Sequence, residues 1–244
     1  MMSARVRQAP TTEAAASDAA QFILQILRAA VEKRGSASIA LSGGSSPKAL
    51  FSRLAAAKFD WNGVHFFWVD ERAVPPGDAD SNYRLARELL LEPARIPHRQ
   101  IHRIQAELEP EEAARRYLAE MRSFFGLSAA DLPHFDVVHL GVGPDGHTAS
   151  LFPDGPLLAD RSGIAAAVYV EKLKSWRITL LPGVLLAAGQ IVFFAPGEEK
   201  REILQRIWGP EYNPARWPAQ LIDREGKNVA WFADRAAAEG IADC

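Results

Sequence analysis

The chain has 244 residues, 48% of them hydrophobic and 24% charged, enough apolar material for a full core and too much for a disordered or fibrous protein. Its 28 basic and 30 acidic side chains leave a formal net charge of -2 with no long single-sign block, so neither nucleic acid nor a membrane surface is an expected partner. The single cysteine, Cys244, excludes a disulfide framework and a cysteine cage for a metal. With no apolar leader after Met1, the expected compartment is the cytoplasm.

In chain order, Phe22, Ile23, Ile26, Leu27 and Ala30 fall at helical spacing and Gly35 ends the pattern, so Thr12–Arg34 reads as an amphipathic helix. Ser38–Leu41 reads as a short buried strand, and Ser42-Gly43-Gly44-Ser45-Ser46 turns into a helix opened by Pro47 with Leu50, Phe51 and Leu54 inward. The unit recurs as a strand Val64–Val69, the segment Asp70-Glu71-Arg72, a loop, and a helix from Asn82 to about Leu90. A helix over Glu111–Phe125 precedes a strand Phe135–Leu140, which runs into the glycine-rich stretch Gly141–His147. Strands are expected at Ala165–Val170, Arg177–Leu181, Ile191–Ala195 and Val229–Ala233, with a helix Glu198–Trp208 and a short C-terminal helix. The polar segment Gly209–Pro218 reads as a surface excursion.

This alternation predicts an α/β fold: a doubly wound, mostly parallel sheet with helices on both faces, as a single domain over residues 1–244. Ligands of such sheets sit at the carboxyl ends of strands, where neighbouring connections diverge. Ser42–Ser46, Asp70–Arg72 and Gly141–His147 each follow a strand and are expected to converge on one crevice.

Gly141-Val142-Gly143-Pro144-Asp145-Gly146 matches the spacing of a dinucleotide loop, but Pro153 and Pro156 stop the next apolar run before a pyrophosphate-binding helix can form. Ser42–Pro47 is the stronger anion candidate, because glycines let backbone N–H groups converge and the helix starting at Pro47 offers its positive end. A Ser-capped turn is the plain alternative. It is not a triphosphate loop: no glycine precedes Lys48 and no hydroxyl follows it. Lys200 falls in the first turn of the helix expected from Glu198, where a cation opposes the helix dipole unless a bound anion reverses the effect. Arg177, preceding a strand-like run, and Arg72, at a strand's carboxyl end, are further anion partners. Asn82 reads as turn chemistry within reach of the crevice.

His147 follows Asp145 by two residues in a glycine setting, and a carboxylate there orients an imidazole and tunes its basicity. No metal-ligand spacing and no nucleophile-elbow motif occurs, so neither a metal nor serine acyl chemistry is expected.

Taken together, Leu41–Pro47, Trp68–Arg72 with Asp80-Ser81-Asn82-Tyr83, Leu140–Pro153, Arg177–Leu180 and Gly197–Lys200 resemble the glucosamine-6-phosphate isomerase/6-phosphogluconolactonase family, on its lactonase side. The resemblance implies the fold of glucosamine-6-phosphate deaminases, no metal or organic cofactor, and hydrolysis of 6-phospho-D-glucono-1,5-lactone in the oxidative pentose phosphate pathway. His147, Asp145 and Arg72 are then the expected catalytic residues. Ser42, Gly43, Gly44, Ser45, Asp70, Asn82, Gly146, Arg177 and Lys200 are expected to bind substrate, with the oxyanion donor open between Arg72 and a loop N–H. The expected partner is a small sugar-phosphate lactone, and the expected state a monomer or weak dimer. Deaminases of the family carry a Glu five residues after the motif His, where this chain has Phe152, and loss of that carboxylate removes their proton transfer. The alternatives are a deaminase-type enzyme and a non-catalytic sugar-phosphate sensor.

Overall fold

The fold opens with a strand that no periodicity announces, β1 (Val6–Ala9), ahead of α1 (Thr12–Arg34), β2 (Ala37–Leu41), α2 (Pro47–Ala55) and β3 (Val64–Trp68). The structure is a computed structural model that describes residues 5–240, so Cys244 lies outside the described residues. One residue after β3 comes β4 (Asp70–Arg72), then α3 (Asn82–Ala86), α4 (Pro110–Phe125), β5 (Val137–Leu140), β6 (Ala165–Val170) and β7 (Ser175–Leu180). The chain continues through α5 (Pro182–Leu186), β8 (Gln190–Phe194), α6 (Arg201–Trp208), α7 (Ala219–Glu225), β9 (Val229–Asp234) and α8 (Arg235–Ala238).

The main sheet has six strands in the order β1-β9-β8-β5-β2-β3, each neighbouring pair parallel. β2, β5 and β9 are buried at every residue, as unbroken apolar runs in a parallel sheet covered on both faces must be. The chain steps outward from β2 to β3 and then reverses through β5, β8 and β9. With right-handed crossovers, that reversal puts the two sets of connections on opposite faces and opens a crevice between the carboxyl ends of β2 and β5.

The expected mostly parallel sheet is present, and three of the expected strand segments lie outside it. Asp70–Arg72, Ala165–Val170 and the strand around Arg177 leave the main sheet and form an antiparallel trio, β4-β7-β6, which packs against α4. Val69 is the corner: its N–H donates to Leu41 O at 2.9 Å, extending β2, while its carbonyl accepts from Leu180 N at 2.7 Å in the small sheet. A three-residue strand continuous with β3 has no pattern of its own, so sequence reading merges the two.

Two expected helices also divide. The helix from Asn82 widens at Arg87–Leu91, where Glu92 N–H reaches Arg87 O at 3.0 Å, and Glu198–Lys200 is a tight turn that precedes α6. The supposed excursion Gly209–Pro218 buries Trp217, and Gln220 ties it down by donating to the carbonyls of Arg206 and Glu211.

The core beneath β3 depends on Tyr117 of α4, whose buried hydroxyl accepts from Trp68 N at 2.8 Å and donates to Trp68 O at 2.7 Å. Tyr117→Phe leaves both Trp68 groups unpaired and is expected to cost about 1–3 kcal/mol in denaturant unfolding with an unchanged m-value. A loss below a few tenths of that would show that water or another group replaces the hydroxyl.

Candidate active site

A polar cavity of about 160 Å3 occupies the crevice between β2 and β5. The turn Ser42–Ser46 forms one wall, Gly141–Gly143 with His147, Thr148 and Ala149 another, and Asp70, Arg72, Asn82 and Lys200 close the rest. A larger cavity of about 380 Å3 lies beside it, but its walls are mainly apolar, including Leu151, Phe152, Leu157, Leu158 and Val168. Convergent charge and exposed loop backbone make the smaller one the candidate chemical site.

The turn after β2 is held in two ways. Ser42 N–H donates to Nδ1 of His139 on β5 at 3.2 Å, and burial pushes that imidazole down to about 3, so it stays a neutral acceptor. Gly43 leaves no room for a side chain, since an added Cβ would stand 1.9 Å from Asn82 Oδ1. Ser46, at the N-cap position of α2, makes no capping hydrogen bond with its hydroxyl.

Asn82 is set by a chain that begins at Glu71. The buried Glu71 carboxylate accepts from the N–H groups of Asn82 at 2.7 Å and Tyr83 at 2.8 Å, pinning the start of α3, and from the Ser81 hydroxyl at 3.0 Å. Burial pushes this carboxyl up, and those donors with Arg72 N–H pull it down. Asn82, 2% exposed, then donates to Asp70 O at 2.9 Å and leans on Gly43. Asp70 also accepts from the Ser150 hydroxyl at 2.7 Å, joining β4 to the His147 loop.

That loop closes on itself. Gly143 N–H donates to His147 O at 2.9 Å, Gly146 N–H to Gly143 O at 3.0 Å, and Thr148 Oγ1 to Gly141 O at 2.8 Å. The His147 ring lies so near Gly143 that a Cβ there would stand 2.0 Å from Cε1. Nδ1 meets Asp145 Oδ1 at 2.5 Å, and Phe152 stacks on the ring with centroids 4.4 Å apart. With Nδ1 donating to the carboxylate, Nε2 is the basic nitrogen. Burial first, then the cations Lys200, Arg72 and Arg177, push the imidazole down to about 4, while Asp70 opposes them. The ring is therefore neutral at physiological pH and ready to accept a proton.

Three expected site residues stand outside the cavity lining. Asp145 backs His147 rather than facing the cavity. Gly146, at φ +81°, is packed against Trp217. Arg177 sits opposite Arg72 in the β4–β7 register and donates to Ser175 Oγ at 2.6 Å. Burial and the Arg72 charge push its guanidinium down. Lys200 does line the cavity, from the tight turn before α6, with Nζ donating to Val142 O at 3.0 Å. Sequence reading missed Thr148, Ser150, Trp217 and Lys172, whose ammonium pairs with Asp145 Oδ2. Thr148 and Ser150 stand within the singled-out motif and were findable as its hydroxyls. Nothing local distinguishes Lys172 from Lys174.

A family model described as "Glucosamine-6-phosphate isomerases/6-phosphogluconolactonase" matches residues 10–231. A 6-phosphogluconolactonase of Synechocystis is 38% identical over 213 residues, spanning 87% of this chain and 88% of that one. The solved 6-phosphogluconolactonase of Trypanosoma brucei superposes with a TM-score of 0.87 at 28% identity, covering 99% of this chain and 100% of that one. A monomeric glucosamine-6-phosphate deaminase superposes with a TM-score of 0.80 at 17% identity, covering 96% and 98%, a likeness of fold alone.

In the unliganded protein, the His147 ring is expected to titrate near pH 4 by NMR. Inorganic phosphate should raise that midpoint by offsetting the nearby cations. A midpoint at or above the ordinary histidine value, about 6.5, would contradict the burial described here.

Proposed function

Because the chain belongs to the glucosamine-6-phosphate isomerase/6-phosphogluconolactonase family, we propose that it hydrolyses 6-phospho-D-glucono-1,5-lactone to 6-phospho-D-gluconate, using water activated by His147. The observation that carries this reading is the neutral His147–Asp145 pair bordering a cavity whose other wall is the glycine turn, with Lys200 beside it.

The substrate phosphate is held by backbone N–H groups of Gly43, Gly44 and Ser45 and by the Lys200 ammonium, and Arg177 adds positive potential from behind Arg72. Held at that end, the lactone presents C1 to His147, so phosphate binding supplies orientation to a bond several atoms away. Nε2 takes a proton from water as the water oxygen bonds to C1 and the carbonyl electrons move onto oxygen. Asp145 stabilises the imidazolium that forms, and general-base assistance of this kind contributes about 100- to 10,000-fold. Arg72 is the oxyanion donor in this reading, because it lines the cavity and its Nη1 is held by Asp80 O at 2.7 Å. Collapse of the tetrahedral intermediate breaks the bond from C1 to the ring oxygen, which takes the proton back from His147. The new carboxylic acid then ionises to solvent.

Asp70 and Asn82 shape the wall and order Gly43, and Ser42 anchors the turn through His139. Phe152 stacks where the family's deaminases carry a Glu, so no carboxylate is placed there for isomerisation. The cytoplasm is the proposed compartment; among the described residues no helix is long and apolar enough to cross a membrane.

Purified protein should speed the loss of freshly made lactone well beyond its spontaneous hydrolysis. His147→Ala is expected to lower kcat by about 100-fold or more, and Lys200→Ala chiefly to raise KM. Full activity in His147→Ala would remove the proposed base. Release of ammonia from glucosamine 6-phosphate would favour a deaminase, and thermal stabilisation by 6-phosphogluconate without any turnover a sensor.

A further inference from the structure

Asp145 has two oxygens and two partners. Oδ1 takes the Nδ1 and backbone N–H groups of His147 at 2.5 and 3.2 Å, while Oδ2 takes the Lys172 ammonium. Lys172 comes from the tight turn Glu171–Leu173 between β6 and β7, so its cation reaches the catalytic loop from the small antiparallel sheet. Its Nζ also lies 5.1 Å from the ring centroid of Phe152, the residue stacked on His147. One ammonium thus touches both groups that hold the imidazole. We propose that Lys172 is a positioning residue for the His147–Asp145 pair: it fixes the carboxylate so that Oδ1 faces Nδ1, and it limits the negative charge delivered to the ring.

The proposal rests on the lactonase reading for its kinetic arm only. Lys172 is absent from the lining of the polar cavity and borders the adjoining apolar one with Asp145, so it does not face the proposed substrate site. It is half exposed, with 52% of its side-chain surface accessible, against 25% for Asp145, so the pair is partly screened and its effect is modest. The remaining charged groups acting on His147 are Asp70, Arg72, Arg177 and Lys200, contributed by β4, β7 and the turn before α6, and none of them contacts Asp145 Oδ2 in a hydrogen bond or ion pair among the described residues. Removing Lys172 therefore changes one input to the pair and leaves the others in place. The His147 backbone N–H continues to hold Oδ1 in its absence.

The test compares Lys172→Met, Lys172→Arg, and Asp145→Asn with and without Lys172→Met, reading kcat, KM and the NMR titration of His147. Lys172→Met is expected to lower kcat by about two- to five-fold, the scale of a partly exposed ion pair, with KM unchanged. It should also raise the His147 midpoint, because Asp145, freed of its cation, then offers more negative charge to the ring. Lys172→Arg should restore both, and in the Asp145→Asn background Lys172→Met should have no further effect. An unmoved or lowered midpoint overturns the proposal, as does a kcat loss that adds fully to that of Asp145→Asn. A rise in KM alone would make Lys172 a substrate contact instead. If the wild-type protein hydrolyses no lactone, the functional reading fails, and the titration and its suppression by Asp145→Asn still decide whether Lys172 acts on the pair.

Discussion

The parallel pairing of β2 with β5, Ile39 opposite Val137 and Ala40 opposite Val138, sets two glycine loops side by side where the winding of the sheet reverses. In the proposed mechanism one loop offers backbone N–H groups to the substrate phosphate, and the other carries the base. The bond from Ser42 N–H to His139 carries the pairing beyond the last residue of β2 and fixes the spacing of the two loops. Burial keeps His139 neutral and able to accept that bond. The distance between anion turn and base thus comes from the sheet itself, the most rigid part of the molecule.

The small antiparallel sheet completes the site from above. At the Val69 corner the chain bends out of the main sheet and carries Asp70, Glu71 and Arg72 over the crevice. Burying Glu71 is costly, and three backbone N–H groups and a hydroxyl offset that cost by donating to its oxygens. The result is a fixed start for α3 and a fixed Asn82. Asp70 couples this wall to the base loop through Ser150. Glycine is required at positions 43 and 143 for one reason, that a polar side chain, Asn82 or His147, occupies the space a Cβ would need.

Much of this was legible in the sequence, for physical reasons that differ by element. α1 was readable to the residue, because a long amphipathic period ends at a glycine with positive φ. The two loops announced themselves through glycines next to Asp, His and hydroxyls, residues that a mere turn does not need. β1, α5 and α7 escaped because segments of four to seven residues carry too little periodicity. The antiparallel trio escaped because strand pairing is a tertiary fact: β6 and β7 read as strands but not as members of another sheet. Arg177 and Asp145 are legible as charged groups next to the motifs, yet the sequence does not say that each stands outside the cavity lining. Lys172 depends on that same hidden sheet, and only its contact with Asp145 reveals it.

A base of low proton affinity suits a reactive ester. Burial holds His147 neutral, and in the proposed mechanism Asp145 supplies stabilisation as the imidazolium forms. In the proposed mechanism a bound phosphate offsets the cations that add to burial in keeping the ring neutral, so substrate binding raises the basicity of the group that activates the water. The most direct test is a crystal structure with 6-phospho-D-gluconate bound. The account predicts the phosphate against Gly43–Ser45 and Lys200, with the C1 carboxylate within hydrogen-bonding distance of His147 Nε2. A ligand lying the other way round, or with C1 out of reach of that nitrogen, would contradict it.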